Sequence, residues 1–166
     1  MTSIVTSYSP AQIAGLSRQE LESLTRADMA ALNFSQIKAL TETGIEALAG
    51  TQLQALSTKQ VTALAATQIR ALTTSQIVFS AAQLAAFNGT QVRGFEAEDI
   101  AAFSLTQIKG LTAAELAAMT SDQIDAFSAT QIAAMSVTQV RGFTATEVAG
   151  LDDEQFAALS ANQVGA

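Results

Sequence analysis

The chain repeats itself every eight residues, and eight is the period of neither a helix nor a strand. "STKQVTAL" at 57–64 is followed at once by "AATQIRAL" at 65–72. Aligned on their glutamines, such units run without gaps from residue 9. Units 1–8 cover 9–72, a seven-residue unit 9, "TTSQIVF", covers 73–79, units 10–19 cover 80–159, and an incomplete unit 20 covers 160–166. Residues 1–8 read as a lead-in. Self-similarity at a fixed short period is the signature of a repeat architecture.

Positions 5 and 8 of every complete octad are apolar, and position 7 is nearly always Ala or Gly. A spacing of i, i+3 puts positions 5 and 8 on one helical face, whereas a strand would put them on opposite faces. One continuous helix fails the same test. Eight residues at about 100° each advance about 800°, so the apolar face would drift by about 80° per unit and end up on all sides. The chain must turn between units.

Position 1 is Ser, Thr, Asn or Asp in 17 of the 20 units, the exceptions being Ala49, Ala65 and Glu96, and position 4 is Gln in 14 and Glu or Asp in five more. Ser or Thr followed three residues later by Gln or Glu is a capping box, in which the two residues satisfy each other's backbone amides at a helix start. Ser57 with Gln60, Thr73 with Gln76, and Ser128 with Gln131 are therefore structural helix caps. Pro10 falls at position 2, the first helical residue, where its missing donor costs nothing. Each octad thus starts its own helix of roughly five to seven residues, too short to survive alone in water.

The predicted fold is all-α: a solenoid, or superhelix, of very short helices, one per unit, held by neighbour contacts. From residue 80 on, position 6 alternates between Ala (85, 101, 117, 133, 149) and Arg93, Lys109, Asp125 and Arg141. That 16-residue period predicts about two helices per turn. The short unit at 73–79 predicts a bend between a first subarray, 9–72, and a second, 80–166. Where position 7 is Gly, a large residue often follows, as in Gly94-Phe95, which reads as volume traded between neighbours along the chain.

Composition narrows the function classes. The chain has no Cys and no His, which removes thiolate metal sites, the usual zinc ligand and the usual general base together. No cofactor, metal site or catalytic residue is expected, and the chain does not read as an enzyme. Net charge is −7, which repels phosphate backbones and argues against nucleic acid as a partner. Residues 47–95 hold three basic and no acidic groups, while 96–166 hold two basic and ten acidic ones. Lys59, Arg70, Arg93, Lys109 and Arg141 are the candidate partner-binding edge, set against the plainer reading of solvated charge on variable positions.

Acidic runs at Asp152-Asp153-Glu154 and Glu98-Asp99 lack the alternating ligand spacing of a calcium loop, and acids in a first helical turn suit the helix dipole. Met119 and Met135 at position 8, and Phe79, Phe87, Phe95 and Phe103 in consecutive units, read as core. "MTSIVTSYSP" has neither the basic nor the apolar region of a Sec signal, and membrane insertion is not expected.

The string "LTTSQI" at 72–77 and its relatives resemble the octapeptide LTTxQIxAL-type arrays of large bacterial secreted or surface proteins, labelled adhesin-like or haem-utilisation proteins. The resemblance spans 9–166 and implies a secreted or cell-surface location within a larger protein, a cytoplasmic one being the other option. The expected function is a noncatalytic spacer or scaffold. The alternative is a binding module that captures a protein, glycan or small ligand such as haem on its polar edge. Unit 20 lacks its position 8, so end-to-end self-association is a further expectation.

Overall fold

A computed structural model describes residues 3–165. These residues form nineteen α-helices of four to six residues and two 3-10 turns, Ile4–Ser7 and Thr74–Gln76, with no strand among them. Within a unit the sequence dictates the path. Position 1 is extended, as at Asn33 (φ −86°, ψ 170°), and the helix starts at position 2, as in Phe34–Ala39. Its last turn tightens, because the position 8 amide bonds to the position 5 carbonyl, three residues back, as in Leu40 to Ile37 at 3.2 Å. Leu40 itself is again extended (φ −59°, ψ 127°), and Thr41 continues so into the next helix. In such units two successive extended residues make the corner. No described residue has a positive φ, so the turns do not depend on glycine's left-handed freedom.

The burial pattern follows the octad. Position 5 is sealed from solvent, as at Ile37, Ile69, Val92 and Ile108, each 0% exposed, and position 8 is buried beside it. Positions 3 and 6 face outward in typical units such as 57–64 and 120–127. Phe79, Phe87, Phe95 and Phe103 pack edge to face, with ring centroids 5.3–6.3 Å apart. Even Phe79 and Phe95, two units apart, are in contact, so the rings gather around a common centre.

The main helix contacts join each unit to the third one after it: Pro10–Ala14 meets Phe34–Ala39, and Gly89–Val92 meets Ala113–Leu116. Side-chain hydrogen bonds, described below, join units four apart. The chain therefore returns over itself after three to four units, and the expected two helices per turn is corrected. That expectation rested on the alternation at position 6, where Ala85, Arg93, Ala101 and Lys109 are all exposed and so take no part in packing.

The glycines at position 7 serve close approach between units. A Cβ on Gly94 would lie 2.5 Å from the Ala66 carbonyl oxygen, and one on Gly110 would lie 2.5 Å from the Ala81 Cα. In both, position 7 of one unit sits on position 2 of the unit three before it. The roles reverse at Gly89, which is at position 2 and faces Ala118 at position 7. The glycine's partner is thus across the return of the chain, and the reading of volume traded with the following residue is corrected.

Residues 3–8 of the expected lead-in follow the octad as well. Val5 is fully buried, Tyr8 packs on the core, and the Ile4–Ser7 turn contacts Arg26–Ala31, three units on. Gly94→Ala should destabilise the protein by about 1–3 kcal/mol through overpacking. Gly150→Ala, whose Cβ would meet nothing within 4 Å, should be neutral or stabilising by up to about 1 kcal/mol. Chemical denaturation of the two variants checks both.

Candidate functional site

The most regular polar feature is the row at position 4, and its geometry shows what it does. Gln68 Oε1 accepts from the Ala65 amide of its own unit at 2.7 Å. Its Nε2 donates to the carbonyls of Ile37 (2.8 Å) and Leu40 (2.7 Å), which lie 31 and 28 residues earlier. Those are positions 5 and 8 of the unit four before. The same bonds recur from Gln36, which reaches Val5 and Tyr8, to Gln139, which reaches Ile108 and Leu111. One side chain thus closes the start of its own helix and the end of a helix beneath, two places where backbone groups lack intrahelical partners.

Most of these amides are sealed: Gln36 is 1% exposed and Gln131 3%. Ser57 and Ser128 complete the reciprocal cap by accepting from Gln60 N and Gln131 N, while Gln60 and Gln131 accept from the Ser57 and Ser128 amides. At Thr73 the short unit forms a 3-10 turn. There Gln76 Oε1 accepts from both the Thr73 amide and its hydroxyl, and Nε2 still reaches Ile45 and Leu48. Past the missing residue, Gln91 bonds 30 and 27 residues back, to Val61 and Leu64, and by Gln123 the spacing is 31 and 28 again. The bonding runs through unit 9 with its register shortened by one.

Six units depart from Gln in chemically distinct ways, Glu147 accepting from the Thr144 amide at its own helix start. Asp28 Oδ1 accepts from the Ser3 hydroxyl (2.6 Å) and the Ile4 amide, and Oδ2 accepts from the Thr25 hydroxyl and amide. The Ser3 and Thr25 hydroxyls hold its carboxyl below the usual range, against the opposing effect of burial. Glu20, exposed, is lowered by the Ser17 hydroxyl and amide. Asp99 and Glu115 are raised by burial. Gly44 offers no side chain, and a Cβ there would come within 3.0 Å of Thr41 Oγ1 and 3.3 Å of Leu21 Cδ1.

The candidate basic residues are exposed but dispersed. Lys59 lies over the Phe34 ring at 5.9 Å and lines a groove with it. Arg93 donates to the Ala118 carbonyl and shares a broad groove with Lys38. Lys109 lines a third groove beside Met135, Arg141 a fourth beside Phe143 and Phe156, and Arg70 stands apart from all four. Lys38 escaped the sequence reading because its unit lies seven before that of Arg93. Only the return of the chain brings the two together.

A family model described as the ALTTAQ repeat matches residues 92–129 and again 100–137. The second match starts eight residues after the first, one octad on, so the chain is similar to that family over a run of its own repeat. No curated protein and no solved structure matches the chain.

Gln68→Leu strands the Ala65 amide and two buried carbonyls, so it should cost roughly 2–4 kcal/mol, each unsatisfied buried group being worth about 1–3. Gln12→Leu loses only an exposed cap and should cost about 1 kcal/mol or less. Urea titrations of the pair measure the difference. Asp28 gives the acid prediction. Its folded pKa is depressed, so its contribution is present above the unfolded pKa and lost as pH falls through the folded one. Asp28→Asn should flatten the acid limb of stability against pH.

Proposed function

We propose that the chain is a noncatalytic structural region: an open α-solenoid acting as a spacer or scaffold in a larger bacterial surface or secreted protein. The observation that carries this is the use of the glutamine row. Its amides are spent on joining units, and the polar row at position 1 is spent on capping helices. What remains outward at positions 3 and 6 varies from unit to unit. A surface that varies over a repeated interior suits a spacer, whose length matters more than any one patch. Secretion and surface placement rest on the resemblance to octapeptide arrays, while the ALTTAQ match supports the repeat character.

Self-association belongs to the same proposal. An apolar groove formed by Val140, Phe143, Val148, Phe156, Leu159 and Val164 leaves Phe156 and Val164 about half exposed (48% and 56%). It is a face that further units of the same kind would cover, in this chain or in a second copy.

A binding module is the second reading, favoured by the shared groove of Lys38 and Arg93 in a waist with no acidic residue from 47 to 95. Its ligand would be anionic: an acidic protein, an acidic glycan or a small ligand with carboxylates, haem among them.

Small-angle scattering over a concentration series separates the readings. A turn of three to four units spaced about 9–10 Å apart gives a thick, short rod of about 55 Å and a radius of gyration near 18 Å. A compact globule would show about 15 Å. A radius near 18 Å, constant on dilution, supports the spacer, and growth with concentration supports end-to-end assembly. A value of 15 Å would contradict the open solenoid.

A further inference from the structure

Glu115 stands where the row elsewhere places an amide donor. On either side, Gln107 donates to Ile77 and Phe79, and Gln123 to Val92 and Phe95. The spacing of 31 and 28 residues seen at Gln123 and Gln139 aims position 115 of unit 14 at the carbonyls of Leu84 and Phe87 in unit 10. Glu115 Oε2 accepts from the Thr112 amide, as a glutamine Oε1 would. Its Oε1 is buried without a hydrogen-bond partner, in a residue only 2% exposed.

An ionised carboxylate in that place sets a negative oxygen against carbonyl oxygens, with no proton to share between them. A carboxylic acid carries one O–H, the donor the site lacks. We propose that Glu115 joins unit 14 to unit 10 as a carboxylic acid, its Oε1–H donating to the Leu84 or Phe87 carbonyl, and that losing this proton to solvent weakens the joint. The joint between units 14 and 10 is thereby pH-sensitive, where the joints made by Gln107 and Gln123 on either side are built on amides.

The surroundings favour the acid. Burial is the main influence and holds the group above the ordinary carboxylate range, the bonds from Thr112 opposing it. Neither Ala81–Leu84 nor Gly89–Val92 carries a titratable side chain. Arg93, just beyond the second, is engaged with the Ala118 carbonyl. Val137–Val140 carries none, Arg141 follows it, and unit 18 contributes Glu147, which accepts from the Thr144 amide. The one ion pair among the described residues is Arg18–Glu22. The sign follows: with its folded pKa raised, Glu115 contributes stability that is present below the unfolded pKa and lost as pH rises through the folded one. Asp99, also buried and raised, acts in the same direction with a side chain one methylene shorter.

Two measurements on the whole chain test this. Carbon-13 titration should place the Glu115 carboxyl above the ordinary glutamate range. Thermal unfolding of Glu115→Gln should show a midpoint raised by about 2–4 °C near pH 8 but little changed near pH 4, with Asp99→Asn as the control for the remaining slope. Glu115 titrating within or below the ordinary glutamate range would overturn the proposal. So would a Glu115→Gln effect equal at both pH values, or one absent at both.

Discussion

The fold depends on a side chain that bonds at both ends. A helix of one to two turns leaves most of its amides and carbonyls without intrahelical partners, and an array of nineteen such helices would be ruinous if each end were buried unsatisfied. The position 4 glutamine answers both ends at once, because an amide carries an acceptor and two donors on one planar group. Its oxygen closes its own N-terminus. Its nitrogen closes the C-terminus of a helix four units earlier, as Gln52 does for Leu21 and Leu24. Glutamate can do only the first part unless it is protonated, which is why the exceptions in the row are chemically informative.

From that bond the rest of the architecture follows. The carbonyls of positions 5 and 8 must point along the stacking direction to be reached, so their side chains turn inward and form one continuous core. Stacking at bonding distance brings position 7 onto position 2 three units away, and several of these meetings, such as Gly94 with Ala66 and Gly89 with Ala118, have glycine on one side, where a Cβ would not fit. Stability should then be a sum over neighbouring units rather than the property of a central nucleus. The missing residue in unit 9 is tolerated for the same reason. Gln76 still reaches Ile45 and Leu48 in unit 5 at the usual spacing, and Gln83 reaches Leu56 in unit 6 with the Gln54 carbonyl, one residue on, in place of position 5.

What the sequence made legible was local. Short helices, capping pairs such as Ser57 with Gln60, and an interior of positions 5 and 8 all follow from relations within one octad, where geometry is fixed by three or four residues. The number of units per turn was not legible, because the second half of each glutamine's bonding ends on backbone carbonyls. Any residue supplies those, so Ile37 and Leu40 bear no mark of being reached from Gln68. The alternation at position 6 misled because it lies on an exposed surface that packing does not constrain. The basic residues were visible as residues, but their grouping was not. Arg93 shares a groove with Lys38 rather than with Lys109, a consequence of the return of the chain alone. Glu115 was visible only as an acid in a glutamine column, and its burial gave that departure meaning.

If position 4 amides bridge units four apart, nuclear Overhauser contacts from the side-chain amide protons of Gln68 will report the bridge. The Nε2 protons should exchange slowly and lie close to Ile37 and Leu40. Contacts instead to residues about sixteen earlier, as two units per turn would require, or rapid exchange with solvent, would contradict it.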